Sequence, residues 1–421
     1  NDPKINAEIT DLVTYRDDIK NIPILPFSSG KKIKTPKWLE NFGEMKFTGK
    51  FFGPASNFEA TGIFETTSGI IKTDIFFRRD LNNVNHISGK IKSDEFNLGT
   101  AINNSNFGLV SLNGELDALA QLENNRIKFS GDIPRIDYKG YSYNKINMDG
   151  VIKDQVFNGK LSVNDKNLEF DFDGSVDFSI PNQQKFNFIA ELKKANITKI
   201  NWANRDTSAQ LSGKLRVNLS GKDIEDINGK LKLRDLTWKE KGKTYKIDSV
   251  TLNSLKEKNR EMITLKSDVV VAKIEGNYNL KEIYPTIINV FSKEVPSLIN
   301  TVEHKIYKGG NKFSIMVKLN DYKMFNELFT PTINFSNKTR LSGRFDDTKK
   351  SFVLNFASDS IRLNNKSIEY IKLQSNNRGG KLNLVGKSKY IQIVNKIGIE
   401  NFTFNSNIED NLVDYKIGYH L

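Results

Sequence analysis

The chain has no cysteine, which excludes disulfide frameworks, thiolate zinc sites and cysteine nucleophiles together. The redox compartment stays open on that count. Histidine is nearly as scarce: His86, His304 and His420 are the three, far apart and without HxxxH or HExxH spacing, so no histidine metal centre is expected. No stretch reaches the roughly eighteen apolar residues of a membrane span, and any anchor is expected outside this chain. No nucleophile elbow, phosphate loop or dinucleotide fingerprint occurs. The start, Asn1-Asp2-Pro3, lacks the basic, apolar, small-residue order of a signal peptide and reads as an excised or mature piece.

What is abundant is positive charge and phenylalanine. The 63 Lys and Arg against 50 Asp and Glu leave a net charge of +13, which suits a polyanion or an anionic membrane surface. The cations are spread along the whole chain at alternate positions of apolar stretches, without a dense run, as on solvated strand faces. No nucleic-acid partner is expected. Hydrophobic residues are 38% of the chain and 28 of them are Phe, so the apolar content is modest but bulky.

The dominant signal has period two. In LEFDFDGSVDFSI, Leu168, Phe170, Phe172, Gly174, Val176, Phe178 and Ile180 share one face, and Glu169, Asp171, Asp173, Ser175, Asp177 and Ser179 the other. The same phrase recurs as Phe47/Gly49/Phe51, Ile87/Gly89/Ile91, Val110/Leu112/Gly114/Leu116, Ile127/Phe129/Gly131/Ile133, Ile146/Met148/Gly150/Ile152 and Phe157/Gly159/Leu161/Val163. It continues through Leu211/Gly213/Leu215/Val217/Leu219, Ile227/Gly229/Leu231/Leu233, Ile274/Gly276/Tyr278/Leu280 and Leu341/Gly343/Phe345. Glycine sits on the apolar face each time. There it either lets a wide sheet coil tightly or relieves crowding beside phenylalanine.

Irregular spacing of these phrases fits a parallel β-helix poorly. Hairpin-connected antiparallel strands fit better, with turns at Asn124-Asn125, Asn164-Asp165, Asn376-Asn377 and Gly379-Gly380. Helical signals are few. A short helix is expected near 35–43, from Thr35 as N-cap and Pro36 to Gly43. Another is expected to open at Asp321 and end at Thr330-Pro331. A longer candidate over 281–303, interrupted at Pro285 and Pro296, is a helical cap or insertion. It divides a first stretch of sheet, 1–280, from its continuation, 304–421. Two sheets sharing a core and one sheet folded over an elongated trough both satisfy this pattern.

Residues 43–179 resemble the middle of TamB-like translocation and assembly module proteins of the AsmA-like superfamily, in the form typical of Bacteroidota. The features that carry the resemblance are Phe47-Thr-Gly-Lys-Phe-Phe-Gly53 followed by Asn57-Phe58, FNLGT at 96–100, FGLVSL at 107–112, Tyr138-Lys-Gly-Tyr-Ser-Tyr143 and DKNLEFDFDG at 165–174. A looser likeness runs through LFTPTINFSNKTRLSGRFDD at 328–347. The resemblance implies an all-β fold: an elongated, curled antiparallel sheet forming an open, taco-like groove with an apolar interior, plus a few short helices. It further implies an internal periplasmic segment of a protein anchored in the inner membrane and coupled to an outer-membrane BamA-like barrel of the TamA or TamL type, both attachments lying outside this chain. Such proteins are associated with carrying phospholipid and with outer-membrane assembly.

On that basis the groove is expected to be lined by Phe170, Phe172, Val176, Phe178, Phe186, Phe188, Leu215, Val217, Leu219, Leu231, Leu233, Phe313, Ile315, Val317, Phe352 and Leu354. Ordinary sandwich core is the competing reading of the same residues. The expected function is non-enzymatic carriage of phospholipid, without cofactor or metal. An assembly factor that pairs strand edges with outer-membrane proteins is the alternative. In DFDGSVD, Asp171, Asp173 and Asp177 lie in a strand-period run without the later glutamate of a calcium loop. Trp38, Trp202 and Trp238 stand alone and are expected to be packing anchors.

Overall fold

Alternation of apolar and polar side chains leaves a strand one dry face, and its backbone N–H and C=O groups must then pair sideways. The computed structural model of the protein describes residues 4–21, 37–54, 56–80, 82, 84–120, 125–223, 225–257, 260–292, 309–330, 332–364, 366–377, 381–394, 397–409 and 412–420. The fold is all-β and antiparallel with a few short helices. Two compact units divide it: residues 1–215 with 238–244, and residues 216–237 with 245–421.

The first unit holds β1 (Lys4–Thr14), β2 (Met45–Pro54), β3 (Asn57–Thr66), β4 (Gly69–Arg79), β5 (Asn85–Asn97), β6 (Phe107–Ala120), β7 (Arg126–Tyr138), β8 (Tyr141–Lys153), β9 (Val156–Asn164), β10 (Leu168–Asp177) and β11 (Lys185–Asn196). Helices α1 (Arg16–Asn21) and α2 (Leu98–Ile102) and a 3₁₀ turn at Lys37–Phe42 complete it. That turn occupies the helix expected near 35–43, whose Thr35 and Pro36 lie outside the described residues. Each strand from β1 to β10 pairs with its successor in the chain. Among the described residues β1 pairs with β2 alone, so the sheet does not close into a barrel.

Register decides whether the repeated phrases share a face, since a slip of one residue turns every side chain over. They do share one. Gly49, Gly62, Thr73, Ile91, Gly114, Gly131, Met148, Leu161, Phe172 and Ala190 lie opposite one another in succession from β2 to β11. The next level runs Phe51, Ala60, Ile75, Gly89, Leu116, Phe129, Gly150, Gly159, Gly174 and Phe188.

A crease crosses the longer strands. Glu95 adopts a left-handed φ of 54° inside β5, and the register shifts between Ser93 and Phe96. A left-handed residue within a strand is a bulge, and it moves the alternation by one position. Lys145, with φ 54°, breaks the alternation in β8 without shifting its register against β7, and Tyr143 and Ile146 enter one buried cluster. Facing them, Ile133 and Ile136 of β7 pack against that cluster together. The strands change direction while their apolar residues stay on one side.

The division between units falls within β12 (Gln210–Ser220), β13 (Asn228–Glu240) and β14 (Lys243–Glu257). The second unit continues with β15 (Arg260–Ser267), β16 (Val270–Asn277), β17 (Lys312–Leu319), β18 (Ile333–Phe335), β19 (Arg340–Asp346), β20 (Ser351–Leu363), β21 (Lys366–Asn376), β22 (Leu382–Val394), β23 (Ile397–Glu409) and β24 (Leu412–His420). The strands again pair in chain order from β14, except that β17 pairs β19 and short β18 pairs the far end of β20.

Among the described residues, two helices belong to this unit. A 3₁₀ turn at Leu280–Glu282 leads into α3 (Ile283–Ser292), and α4 (Tyr322–Phe329) starts where Asp321 caps the Met324 N–H. Pro285 does not interrupt α3 as the sequence suggests. It falls in the first turn, where a missing N–H costs no intrahelical bond. The expected continuation through Pro296 to 303 lies outside the described residues.

Candidate apolar binding face

A side chain in the middle of a sealed two-sheet core loses nearly all its exposure. Along the first unit's two central levels the large side chains, Phe51, Ile75, Ile91, Leu116, Phe129, Met148, Leu161, Phe172 and Phe188, are only half-buried. Burial is graded along the strands. At one end Ile146, Val163, Leu168 and Ala195 pack with Ile197, Ile200 and Ala209 in a closed cluster. At the other end Ile127 is 45%, Ile152 44% and Phe178 51% exposed. The dry face is therefore closed at one edge and opens toward water at the other.

Aromatic rings pave this face. Phe58 lies 4.4 Å from Phe51 and 4.8 Å from Phe77, and Phe172 lies 6.0 Å from Phe157 and 5.0 Å from Phe188, centroid to centroid. The glycines answer both readings of their placement. Gly150, Gly159 and Gly174 stand side by side on three strands, and a Cβ on Gly159 would come within 2.5 Å of the Gly150 Cα. A Cβ on Gly150 would strike the Phe157 ring at 2.5 Å. Close backbone approach on the dry side and a covering ring occur at the same positions.

The opposite face carries paired charge. Asp171 bonds Lys193 at 2.6 Å, Asp173 lies 3.6 Å from Lys160 and Asp177 4.0 Å from Lys185. These carboxylates belong to a solvated cross-strand ladder.

Around the closed edge lies a polar knot that the sequence pattern did not single out. Asp165, 3% exposed, accepts from the Tyr141 hydroxyl, from the Asn167 N–H at 2.8 Å and from the Asn144 N–H and side-chain amide at 3.2 and 3.1 Å. Burial works to raise its carboxyl, but these donors outweigh it and hold the group below the usual carboxylate range. Burial, and then the carboxylate at its hydroxyl, push Tyr141 up to about 12. Asn167 in turn accepts from Asn196 at 2.9 Å. The residues responsible, Asp165 and Asn167, stand in the DKNLEF turn, which reads as an ordinary hairpin connection.

Of the expected lining residues, Phe170, Phe172, Val176, Phe186 and Phe188 lie together on the first unit's dry face. Phe178 follows β10 and stacks edge-on against Phe186 at 6.2 Å. Leu215 is half-buried on β12; Leu219, Leu231 and Leu233 are half-buried and Val217 is buried, all within the second unit. Phe313, Ile315, Val317, Phe352 and Leu354 share the second unit's dry face, where Phe313 and Phe352 each pair with Phe345 and Ile315 and Leu354 each with Gly343. Phe313, Phe345 and Phe352 are 2–3% exposed and lie beneath α3.

A cavity of about 730 Å³ at the ends of β15–β17, β19 and β20 takes Phe313 and Phe352 from the expected set and is rimmed by Glu261, Lys312, Arg344 and Asp346. Trp238 is half-buried with the Arg205 guanidinium over its ring at 5.2 Å. Among the described residues, no helix is long and apolar enough to cross a membrane.

No family model, curated protein or solved structure matches the chain.

Proposed function

We propose that this chain is a non-enzymatic, periplasmic segment of an envelope-spanning bridge that carries phospholipid along an apolar β-groove and so supports outer-membrane biogenesis. The observation that supports the reading best is the pair of levels across β2–β11, apolar but for Thr73, whose large side chains are half-buried and which open along one strand end. Burial of each acyl methylene is worth about 0.8 kcal/mol wherever it sits. Many equivalent positions favour sliding over tight binding, and no fixed constellation of polar groups is needed. The resemblance to TamB-like proteins supplies the setting, with the inner-membrane anchor and the outer-membrane barrel outside this chain.

The test is co-purification of phospholipid from envelope-containing cells, read by mass spectrometry. The comparison is a variant with Phe172→Asp, Val176→Asp and Val217→Asp. Lipid on the native chain and its loss from the folded variant are expected; a folded native chain without lipid would defeat the reading.

A further inference from the structure

Where the first unit's dry face opens, the charge on the opposite face changes sign. The last outer level before that end runs through Arg78 of β4, His86 of β5, Arg126 of β7, Lys153 of β8, Asp177 of β10 and Lys185 of β11, with neutral residues of β3, β6 and β9 between them. Four permanent cations meet one carboxylate there. The three levels inward hold the opposite balance. They set Lys128 against Glu59 and Asp117, then Lys50, Lys90 and Lys160 against Asp74, Glu115, Asp149 and Asp173, then Lys72 and Lys92 against Asp132, Asp171 and Glu191.

The protein itself neutralises only part of the row. Asp117 lies 2.6 Å from Arg126 and Asp177 4.0 Å from Lys185, but among the described residues Arg78 and Lys153 have no ion-pair partner. Asp177 also accepts from the Ser179 N–H at 2.8 Å. Near the same end, Asp80 accepts from the Asn82 and Val84 N–H groups at 2.8 and 2.9 Å and lies 3.6 Å from His86, while Arg79 donates to Asn85 at 2.9 Å and Asp154 stands exposed in the β8–β9 turn. Arg126 and Lys153 lie directly opposite each other. Like charges so placed destabilise a sheet, and an anion between them offsets that cost. Lys72 and Lys92 face each other too, but in a level where carboxylates predominate.

The row adjoins the apolar face residue by residue. Arg78, Arg126, Lys153 and Lys185 are next in sequence to Phe77, Ile127, Ile152 and Phe186, which form the last dry level. Long cationic side chains lay their stems on apolar surface and keep the charge in water. From Ile152 to Ile146 in the closed cluster, β8 runs about 20 Å. One bilayer leaflet has a hydrocarbon depth of about 15 Å, half the core thickness. A lipid tail laid along the strands therefore fits with its head at the open end, since the other end is sealed.

We infer that this row is a headgroup rail: Arg78, Arg126, Lys153 and Lys185 hold the phosphates of phospholipids whose tails lie on the dry face, and they favour heads of net negative charge over zwitterionic ones. The inference rests on the lipid-carrying reading and names the lipid class. The ammonium of a zwitterionic head meets the same cations and is repelled. A row repeats one contact from strand to strand, so it selects a head without fixing the lipid in one place.

The experiment loads the whole chain from vesicles of phosphatidylglycerol and phosphatidylethanolamine, in equal amounts and with identical tails, and reads the lipid on the re-isolated chain by mass spectrometry. Phosphatidylglycerol is expected in excess by roughly threefold or more, the effect of one or two exposed ion pairs, and the excess is expected to shrink at high salt. The row variant, Arg78→Gln with Lys153→Gln and Lys185→Gln, changes exposed side chains and is checked for folding by circular dichroism. It is expected to bring phosphatidylglycerol down to the level of phosphatidylethanolamine. A control, Lys50→Gln with Lys90→Gln and Lys160→Gln, removes the same charge from an inner level and is expected to keep the excess. Equal binding of the two lipids by the native chain, an excess indifferent to salt, or one that survives in the row variant would overturn the rail and leave the carrying function standing. Equal loss in both variants would assign the preference to net charge and overturn it as well. Glycerophosphoglycerol, the head without tails, is expected not to displace the lipid; displacement at a concentration equal to the lipid's would make the row a free-anion site and overturn the inference. No lipid on the folded native chain would defeat the carrying function and the rail with it.

Discussion

Buried Asp165 joins the β9–β10 turn to β8 through Tyr141 and Asn144. Removing its charge strips a multiply bonded carboxylate from a dry site, and Asp165→Asn is expected to cost about 2 kcal/mol, read as a lowered midpoint in urea at pH 7. Its folded carboxyl is held below the unfolded value, so the stability it contributes is present above about pH 4 and is lost as pH falls through the folded value. Asp165→Asn should accordingly flatten part of the acid branch of a stability-against-pH curve; an unchanged acid branch would place that dependence elsewhere. Gly159 makes a complementary case. A Cβ there would come within 2.5 Å of the Asp149 carbonyl oxygen as well as the Gly150 Cα, and backbone cannot swing aside as a flexible side chain does. Gly159→Val is expected to destabilise by about 2 kcal/mol or more, measured as a drop in melting temperature. The glycine's place on the apolar face is visible in the alternation of the chain. That it meets another glycine was not, because register depends on the neighbouring strand.

Among the elements, α4 shows how polar side chains join a helix to a sheet: Glu327 accepts from the Tyr245 hydroxyl of β14 at 2.7 Å, and Asn326 clasps β18. Asn326, 6% exposed, donates to the Phe335 carbonyl at 2.7 Å and accepts from the Phe335 N–H at 3.0 Å. It thus supplies the partner that a third strand would otherwise give β18. Asn326→Ala leaves two half-buried backbone groups unpaired and is expected to cost about 2 kcal/mol. Asp321→Ala, which removes only the N-cap, is expected to cost about 1 kcal/mol. Urea titrations of the two variants check the order; equal losses would mean that the clasp adds nothing beyond helix stability. The cap was legible, since Asp321 precedes an apolar periodic run that ends before Pro331. The clasp was not, because asparagine at that position of a helix has no local signature, and its partner is nine residues away.

At the scale of the whole chain, the proposed lipid carriage makes a prediction about additivity. Independent binding sites lose capacity in proportion to the sites removed, whereas a single route is blocked equally by one obstacle or two. Phe172→Asp in the first unit and Ile315→Asp in the second each set a carboxylate on an apolar face. Each is expected to cut vesicle-to-vesicle lipid transfer by roughly tenfold or more, with the double variant only slightly slower than the worse single one. Partial single losses that add up in the double variant would favour separate sites over one route.

The sequence by itself determined the local facts: all-β strands, one dry face per strand, glycine on that face, the cap at Asp321 and the charged outer ladder. Each follows from a period of two or from residues within one turn of each other, where covalent geometry dictates the outcome. Only the tertiary structure decided between a sealed core and an open face, since that choice depends on what lies across from a side chain. Exposures near 45% at Ile127 and Ile152, beside 3% at Phe313 and Phe352, come from identical alternation in the chain. The crease at Glu95 and Lys145 and the docking of α3 belong to the same class, because bulges and covering elements are set by distant backbone and leave no period behind.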